Sequence, residues 1–300
     1  MRISTNTLYE QGVARISEVQ SGLAKTQQQL ATGRRILTPA DDPIAAARAL
    51  EVTQSQAVNA QFAINRQTAV GSLNAVENTL TGVTSMLQDA RVIAINAGNA
   101  TLTDEERGYL ATELRGRFDE LLALANTTDG TGNYLFSGYQ VTTQPFVQTL
   151  PGVVQYMADQ GQRQLQVDSA RQMAISDSGQ RVFQGGNQDI FKTLNDLITL
   201  LETPGTATLS TGLAIATGAI DKALDNVLTV RASVGSRLKE LDALDSTGQD
   251  RDLQYSQVLS QLQDLDYAQA ISQLSQQQVT LEAAQKSFLK ISGLSLFNFL

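Results

Sequence analysis

A stripe of apolar residues near the start of the chain has no partner close to it in the sequence. From Tyr9 to Gly33 its members recur three and four positions apart, which is the spacing of a helix that packs along one face. A similar stripe returns after Leu253. A helix with so narrow an apolar face is only marginally stable when it is isolated in water. We therefore predict that the two ends pair. The predicted seam residues are Ile16, Val19, Leu23 and Leu30 in the first segment and Leu262, Leu265, Ile271, Leu274, Leu281 and Phe288 in the second.

A bend is predicted between the first helix and the second. Gly33 can end a helix because glycine enters the left-handed region without a steric cost. Pro39 disfavours helix at the residue before it, and Pro43 suits the first position of a new helix. Asp42 can cap that helix, and Asp41 adds favourable charge at the same end. A metal site is the alternative for two adjacent carboxylates, but no other ligand types lie nearby.

The middle of the chain predicts helices on both sides of a small β region. Helical spacing runs from Ile44 to about Asn96 and returns after Ile190, and Thr103 with Glu106 forms a capping box. Between these helices the apolar period falls to two. The predicted strands are Pro145–Gln148, Val153–Met157, Gln164–Asp168, Gln172–Ser176 and Gln180–Phe183.

The predicted fold is mainly α with a small β insert, built on long helices from both ends of the chain. We predict a terminal coiled-coil module (1–40 with 254–300), a helical rod (41–133 with 186–253) and an outer β domain (134–185). Two irregularities are predicted in the later helices. Small residues at Ser246–Gly248 indicate a kink, and the stripe shifts by two residues after Leu265, which indicates local unwinding.

Composition narrows the possible functions. The 300 residues contain no cysteine and no histidine, which excludes disulfides, the usual zinc ligands and imidazole-based nucleophilic catalysis. A net charge of −8 without a basic run argues against nucleic acid. No apolar run approaches the roughly 20 residues of a membrane helix, and Met1–Asn6 lacks the apolar core of a cleaved secretory signal. We predict a structural protein without a cofactor or membrane insertion.

Several segments resemble the flagellin superfamily. Leu30–Pro43 is similar to its amino-terminal signature, and Pro43, where flagellins usually carry alanine, resembles the hook-associated members. Ser295–Leu300 resembles the same members. The segment that leads into the β region resembles the hook–filament junction branch, through Tyr134, Leu135, Phe136, Gly138, Pro145 and Phe146.

The resemblance implies a structural role in the bacterial flagellum, outside the cell. It implies that the termini form an inner coiled coil, the next helices a rod and the middle segment an outer domain. It also implies a homo-oligomeric ring between a FlgK-type junction protein, which adjoins the hook, and flagellin in the filament. Export would use the flagellar type III apparatus without a cleaved signal peptide, after binding of a FlgN-type chaperone.

Two alternatives stay open. A short flagellin, which forms the filament itself, would share most of these features. A carboxylate-based hydrolase on the β insert would need two carboxyl groups about 5 to 9 Å apart across a cleft. Asp159, Asp168 and Asp177 are the candidates, although each lies next to a turn or a strand end, where aspartate is common.

Overall fold

The computed structural model describes residues 5–186, 188–205 and 208–297. It is mainly α-helical with a small β region, as predicted. The helices are α1 (Thr5–Thr32), α2 (Pro43–Ala97), α3 (Asp104–Ala125), α4 (Gly179–Phe183), α5 (Ile190–Glu202), α6 (Leu209–Gln263) and α7 (Tyr267–Phe297). The strands are β1 (Phe146–Leu150), β2 (Val153–Tyr156), β3 (Gln164–Asp168) and β4 (Arg171–Ala174). The end of the predicted carboxyl-terminal signature, 298–300, lies outside the described residues.

Contacts divide the chain into two compact units, which are described separately below. The terminal unit comprises Met1–Val58 and Asp250–Leu300, and the central unit comprises Asn59–Gln249. Residues of α2 and α6 contribute to both units. The finer division into three domains stays a prediction.

The central unit contains a fully buried hydrophobic core. In α2 the buried positions recur with the helical period, as at Leu73, Leu80 and Leu87. In α3 the predicted core face is buried at Phe118 and Leu121. Residues of α5, α6 and the β region join these side chains in one cluster. The side chains of this cluster are therefore well shielded from water.

A capping box fixes the start of α3. The hydroxyl oxygen of Thr103 accepts a hydrogen bond from the Glu106 amide at 3.2 Å, and the Glu106 carboxylate accepts one from the Thr103 amide at 2.7 Å. This arrangement satisfies two amide groups that have no partner inside the helix. The predicted capping box is confirmed.

The β region consists of two antiparallel hairpins, β1 with β2 and β3 with β4. Gly152, with φ of 78°, forms the turn of the first hairpin. Four of the predicted strands are present, but the strand predicted at Gln180–Phe183 is wrong. Ser178 accepts a hydrogen bond from the Arg181 amide and caps the short helix α4 instead. The helix buries Phe183, which the alternating pattern had assigned to a strand face.

Two arginines connect the hairpin β3–β4 to α6. Arg237 donates to the carbonyl oxygen of Ala174 at 2.8 Å and pairs with the carboxylate of Asp177, which is fully buried. Arg171 forms a two-pronged pair with Glu240, at 2.5 and 2.8 Å, in a more exposed position. The hairpin and the segment directly after it are thus held to the helix by one exposed and one buried ion pair.

A kink was predicted at Ser246–Gly248; α6 continues through these residues to Gln263. Gly248 is buried, and a Cβ atom there would collide with the guanidinium group of Arg66. Arg66 pairs with Asp245 at 3.1 Å and donates to the Val167 carbonyl oxygen at 3.2 Å. The glycine therefore makes room for the side chain of an arginine.

Candidate assembly site

In the terminal unit, α1 packs against α7. The two helices run in opposite directions, because Gly12 faces Phe288 whereas Gly33 faces Tyr267. The ring of Phe288 also lies 5.0 Å from the ring of Tyr9, measured between centroids. The structure therefore brings together the two stripes that lie at opposite ends of the sequence.

The seam between α1 and α7 is only partly buried. Thr26 and Ala270 are the buried exceptions. The predicted seam residues that are half-buried are Ile16, Val19, Leu23, Leu30, Leu274, Leu281 and Phe288, together with Leu262 in α6 and Leu265 in the connection after it. Apolar surface remains in contact with water along this pair, which limits how much the pairing stabilises the ends.

The prediction that Ile271 belongs to the seam of this chain is wrong. Its side chain is 54% exposed, whereas that of the neighbouring Ala270 is 4% exposed. Adjacent residues of a helix point about 100° apart, so only one of the two can face α1. The prediction chose Ile271 because its side chain is larger, but in this chain Ala270 faces α1.

The bend after α1 is hydrogen-bonded to the break between α6 and α7. Gly33 has φ of 67°, the left-handed conformation predicted for it. Its carbonyl oxygen accepts from the Leu265 amide at 3.0 Å, and the Arg35 amide donates to the Gln263 carbonyl oxygen at 2.7 Å. The predicted unwinding after Leu265 is therefore a complete helix break, after which α7 begins at Tyr267.

The side chain of Arg35 closes the carboxyl end of α6. Its guanidinium group donates to the Leu262 carbonyl oxygen at 2.9 Å and pairs with the Asp42 carboxylate at 3.2 Å. Carbonyl groups in the last turn of a helix lack partners within it, and a cation is favourable there. Sequence reasoning missed this role. The only available signal was a basic residue two positions after a helix-ending glycine.

The two adjacent carboxylates of the bend have different roles. Asp42 caps α2 as predicted, by accepting from the Ala45 amide at 3.0 Å, and Pro43 begins that helix. Asp41, predicted to lie at the same helix end, folds back on the bend that contains Pro39. There its carboxylate accepts from the amides of residues 37 and 38, at 3.0 and 2.8 Å. The acidic pair is thus a cap and a loop staple.

Both carboxylates are held in their charged form. Hydrogen bonds from the Lys25 ammonium group, 2.5 Å away, and from the Thr38 amide lower the pKa of Asp41 well below its usual range. The Ala45 amide and the Arg35 guanidinium lower the pKa of Asp42. Among the described residues, no group of three or more His, Cys, Asp or Glu side chains could hold a metal ion.

The residues that carry the resemblance in the β region belong to the central core. Phe136 packs edge-on against Phe183, with ring centroids 5.3 Å apart. Gly138 has φ of 67°, and a Cβ atom there would collide with Asp159. Leu135, Phe136, Gly138, Pro145 and Phe146 are buried, and Tyr134 is half-buried. Their geometry indicates packing of the β region against the helices.

The carboxylates considered for a hydrolase have structural contacts. Asp159 accepts hydrogen bonds from the amides of Tyr139, Gln140 and Gly161, and the Tyr139 amide contributes most to lowering its pKa. Asp177 is buried and paired with an arginine of α6. Asp168 ends β3.

No helix within the described ranges is long and apolar enough to cross a membrane.

Comparison with known proteins adds independent observations. Residues 3–141 match the family model of the bacterial flagellin N-terminal helical region. Flagellar hook-associated protein 3 of Escherichia coli is 38% identical over 317 aligned positions, and its counterpart in Salmonella typhimurium is 39% identical, each alignment covering 99% of both chains. The flagellar junction protein FlgL from Legionella pneumophila has the same fold, with a TM-score of 0.63 and 21% identity over 72% of this chain and all of that one. Flagellins from several bacteria also match, each over less than half of this chain.

Proposed function

This chain belongs to the flagellar hook-associated protein 3 family, and from that premise we propose how it joins the hook to the filament. It is a structural protein of the flagellar hook–filament junction. In our proposal, copies of the chain form a ring that contacts a FlgK-type protein on the hook side and flagellin on the filament side. A FlgN-type chaperone binds the chain before export through the flagellar type III apparatus, and no signal peptide is cleaved.

The contrast in burial between the two units supports an assembly role for the chain ends. The core of the central unit is shielded from water, whereas the α1–α7 seam is half-buried. Large apolar side chains stay exposed on the same helices, such as Val13 at 45% and Val279 at 67%. Neighbouring copies would cover this surface in the ring, so the ends would gain order as the ring forms.

The bend has a mechanical part in this proposal. It ends α1, restarts the chain at α2 and is hydrogen-bonded to the break between α6 and α7. Substitution of Gly33 or Pro43 would therefore disturb the terminal unit and leave the central unit intact. We infer that such variants lose the ability to assemble while the free energy of unfolding of the central unit stays unchanged.

A charged substitution in the seam tests the proposal in a strain that lacks the native chain. Leu23→Asp introduces a carboxylate into the half-buried seam, and Leu150→Asp makes the same change at an exposed position of β1. We expect Leu23→Asp to be secreted but to leave hooks without filaments in electron micrographs, with flagellin released into the medium. Leu150→Asp should restore filaments.

Normal filament numbers with Leu23→Asp would contradict the assembly role of the seam. Urea unfolding of the central unit should be the same in both variants, which separates failed assembly from failed folding. The alternative of a short flagellin makes a different prediction. The purified chain would have to polymerise into long filaments without flagellin. The similarity of this chain to known flagellins covers less than half of its length.

A further inference from the structure

The ring of Phe288 occupies the space that a side chain at Gly12 would need. A Cβ atom on Gly12 would lie 2.7 Å from Cδ2 of the ring, closer than the 3.0 Å below which neighbouring atoms must shift. The ring also contacts Tyr9, so movement of the ring would disturb an aromatic contact. Glycine inside a helix is unfavourable relative to alanine. The fit of Phe288 gives a physical reason for glycine at this position of α1.

Two further glycines of the first segment face polar groups of α7. A Cβ atom on Gly33 would lie 2.8 Å from the hydroxyl oxygen of Tyr267, and one on Gly22 would lie 3.4 Å from Nε2 of Gln277. Within the described part of the chain, Oε1 of Gln277 is buried without a hydrogen-bond partner. Such an atom weakens a helix pair, but a polar residue in a seam can select one register over others.

These contacts define a single register for the two helices. The number of residues from Gly12 to Gly33, just after α1, equals the number from Phe288 back to Tyr267 along α7. Counting from these contacts places a small residue of one helix opposite a large residue of the other at most positions of the seam. The assigned pairs are Gly12 with Phe288, Ile16 with Ala284, Val19 with Leu281, Thr26 with Leu274, Leu30 with Ala270, and Gly33 with Tyr267.

A slip of seven residues is the smallest shift that keeps both stripes facing each other. In one direction it would place the Phe288 ring opposite Val19, where a side chain already fills the space. In the other direction it would place Phe288 opposite residue 5, at the start of α1, and the smaller Leu281 opposite Gly12, so the ring would lose its contacts with Gly12 and Tyr9. Mismatched sizes in a packed seam produce either a void or overlap, and both destabilise the pair.

We propose that the fit of the Phe288 ring against Gly12, within this pattern of small and large residues, selects one pairing register for α1 and α7. The functional importance of this register rests on the proposed assembly role of the chain ends, because a slipped pair would present a different surface to neighbouring copies. The register itself is a property of the isolated chain. It can therefore be tested without a flagellum.

Disulfide formation between introduced cysteines measures the register, since the natural chain has no cysteine. The in-register pair is Val19→Cys with Leu281→Cys, and the slipped pair is Thr26→Cys with Leu281→Cys. Seven residues of helix rise correspond to about 10 Å, beyond the separation of about 7 Å that a disulfide can span. In the purified chain we expect the in-register pair to oxidise at least about tenfold faster than the slipped pair.

The Gly12–Phe288 contact is tested by exchanging the two sizes in both cysteine backgrounds. Gly12→Leu alone should remove the in-register excess, whereas Gly12→Leu with Phe288→Ala should restore it. Gly71→Leu is the matched control, because a Cβ atom at Gly71 in α2 would meet no atom within 4 Å. Circular dichroism verifies that each variant keeps its helical content.

Equal oxidation rates of the two cysteine pairs in the otherwise natural chain would overturn the proposal. An in-register excess that survives Gly12→Leu would also overturn it, as would a double variant that does not recover. Failure of the proposed function gives a different result. In that case the register would be intact in the purified chain, while seam variants such as Leu23→Asp would still build filaments.

Discussion

Loss of Arg237 should destabilise the central unit far more than loss of Arg171, although both side chains hold the same hairpin to α6. The side chain of Arg237 is 12% exposed and its partner Asp177 is 0% exposed, whereas that of Arg171 is 50% exposed. Removal of one partner from a buried ion pair costs about 3–5 kcal/mol. Because Asp177 keeps contacts with Gln162 at 2.9 Å and Arg181 at 3.4 Å, we expect about 3 kcal/mol for Arg237→Ala. An exposed pair is worth about 0–1 kcal/mol, which sets the expectation for Arg171→Ala.

Urea unfolding, followed by circular dichroism and by tyrosine fluorescence, gives the free energy of unfolding for each variant. A third variant, Arg237→Met with Asp177→Leu, removes both buried charges. It should recover most of the lost stability, because apolar residues can replace a buried ion pair at little cost. Equal losses for the two alanine variants would refute this reasoning. A double variant as unstable as Arg237→Ala would refute it as well.

Two further predictions concern the terminal unit. In the isolated chain, trypsin should first remove the ends before Thr38 and after Leu253, because their seam is only half-buried. Mass spectrometry should then find a resistant middle fragment. Ends that survive as long as the middle would contradict the proposal that the ends gain order as the ring forms. In the chain closed by the Val19–Leu281 disulfide, the bend should lose hydrogen-exchange protection below about pH 4. The pKa values of Asp41 and Asp42 are lowered in the folded chain, so their charged carboxylates stabilise the folded form at neutral pH. This contribution is lost at low pH, because the unfolded chain binds protons on these carboxylates more readily than the folded chain does. Replacing both aspartates with asparagine should flatten this dependence after correction for intrinsic exchange, and protection that persists unchanged to pH 2 in the natural bend would argue against it.

The bend could be predicted from the sequence because its determinants are local. Gly33 ends a helix through its own backbone conformation, and Asp42 and Pro43 start the next one within a few residues. The contact of Arg35 with Leu262 could not be predicted in this way. The two residues are 227 positions apart, and only the fold brings them together.

The errors in the seam and in the β region have separate physical causes. A stripe of residues shows which face of a helix is apolar, but the size of the residue opposite decides between neighbours such as Ala270 and Ile271. At residues 180–183 the short apolar run fitted both a strand and a helix. The cap supplied by Ser178 decided in favour of a helix.

The pairing of α1 with α7 also has a consequence for the order of folding. It joins residues as far apart as Tyr9 and Phe288, whereas the hairpins and capped helices of the central unit form from neighbours in sequence. Contacts between distant residues form late, because a long loop must close before they are made. If the chain emerges from one end to the other, the central unit would therefore fold first. Helix α1 would stay unpaired until α7 has emerged.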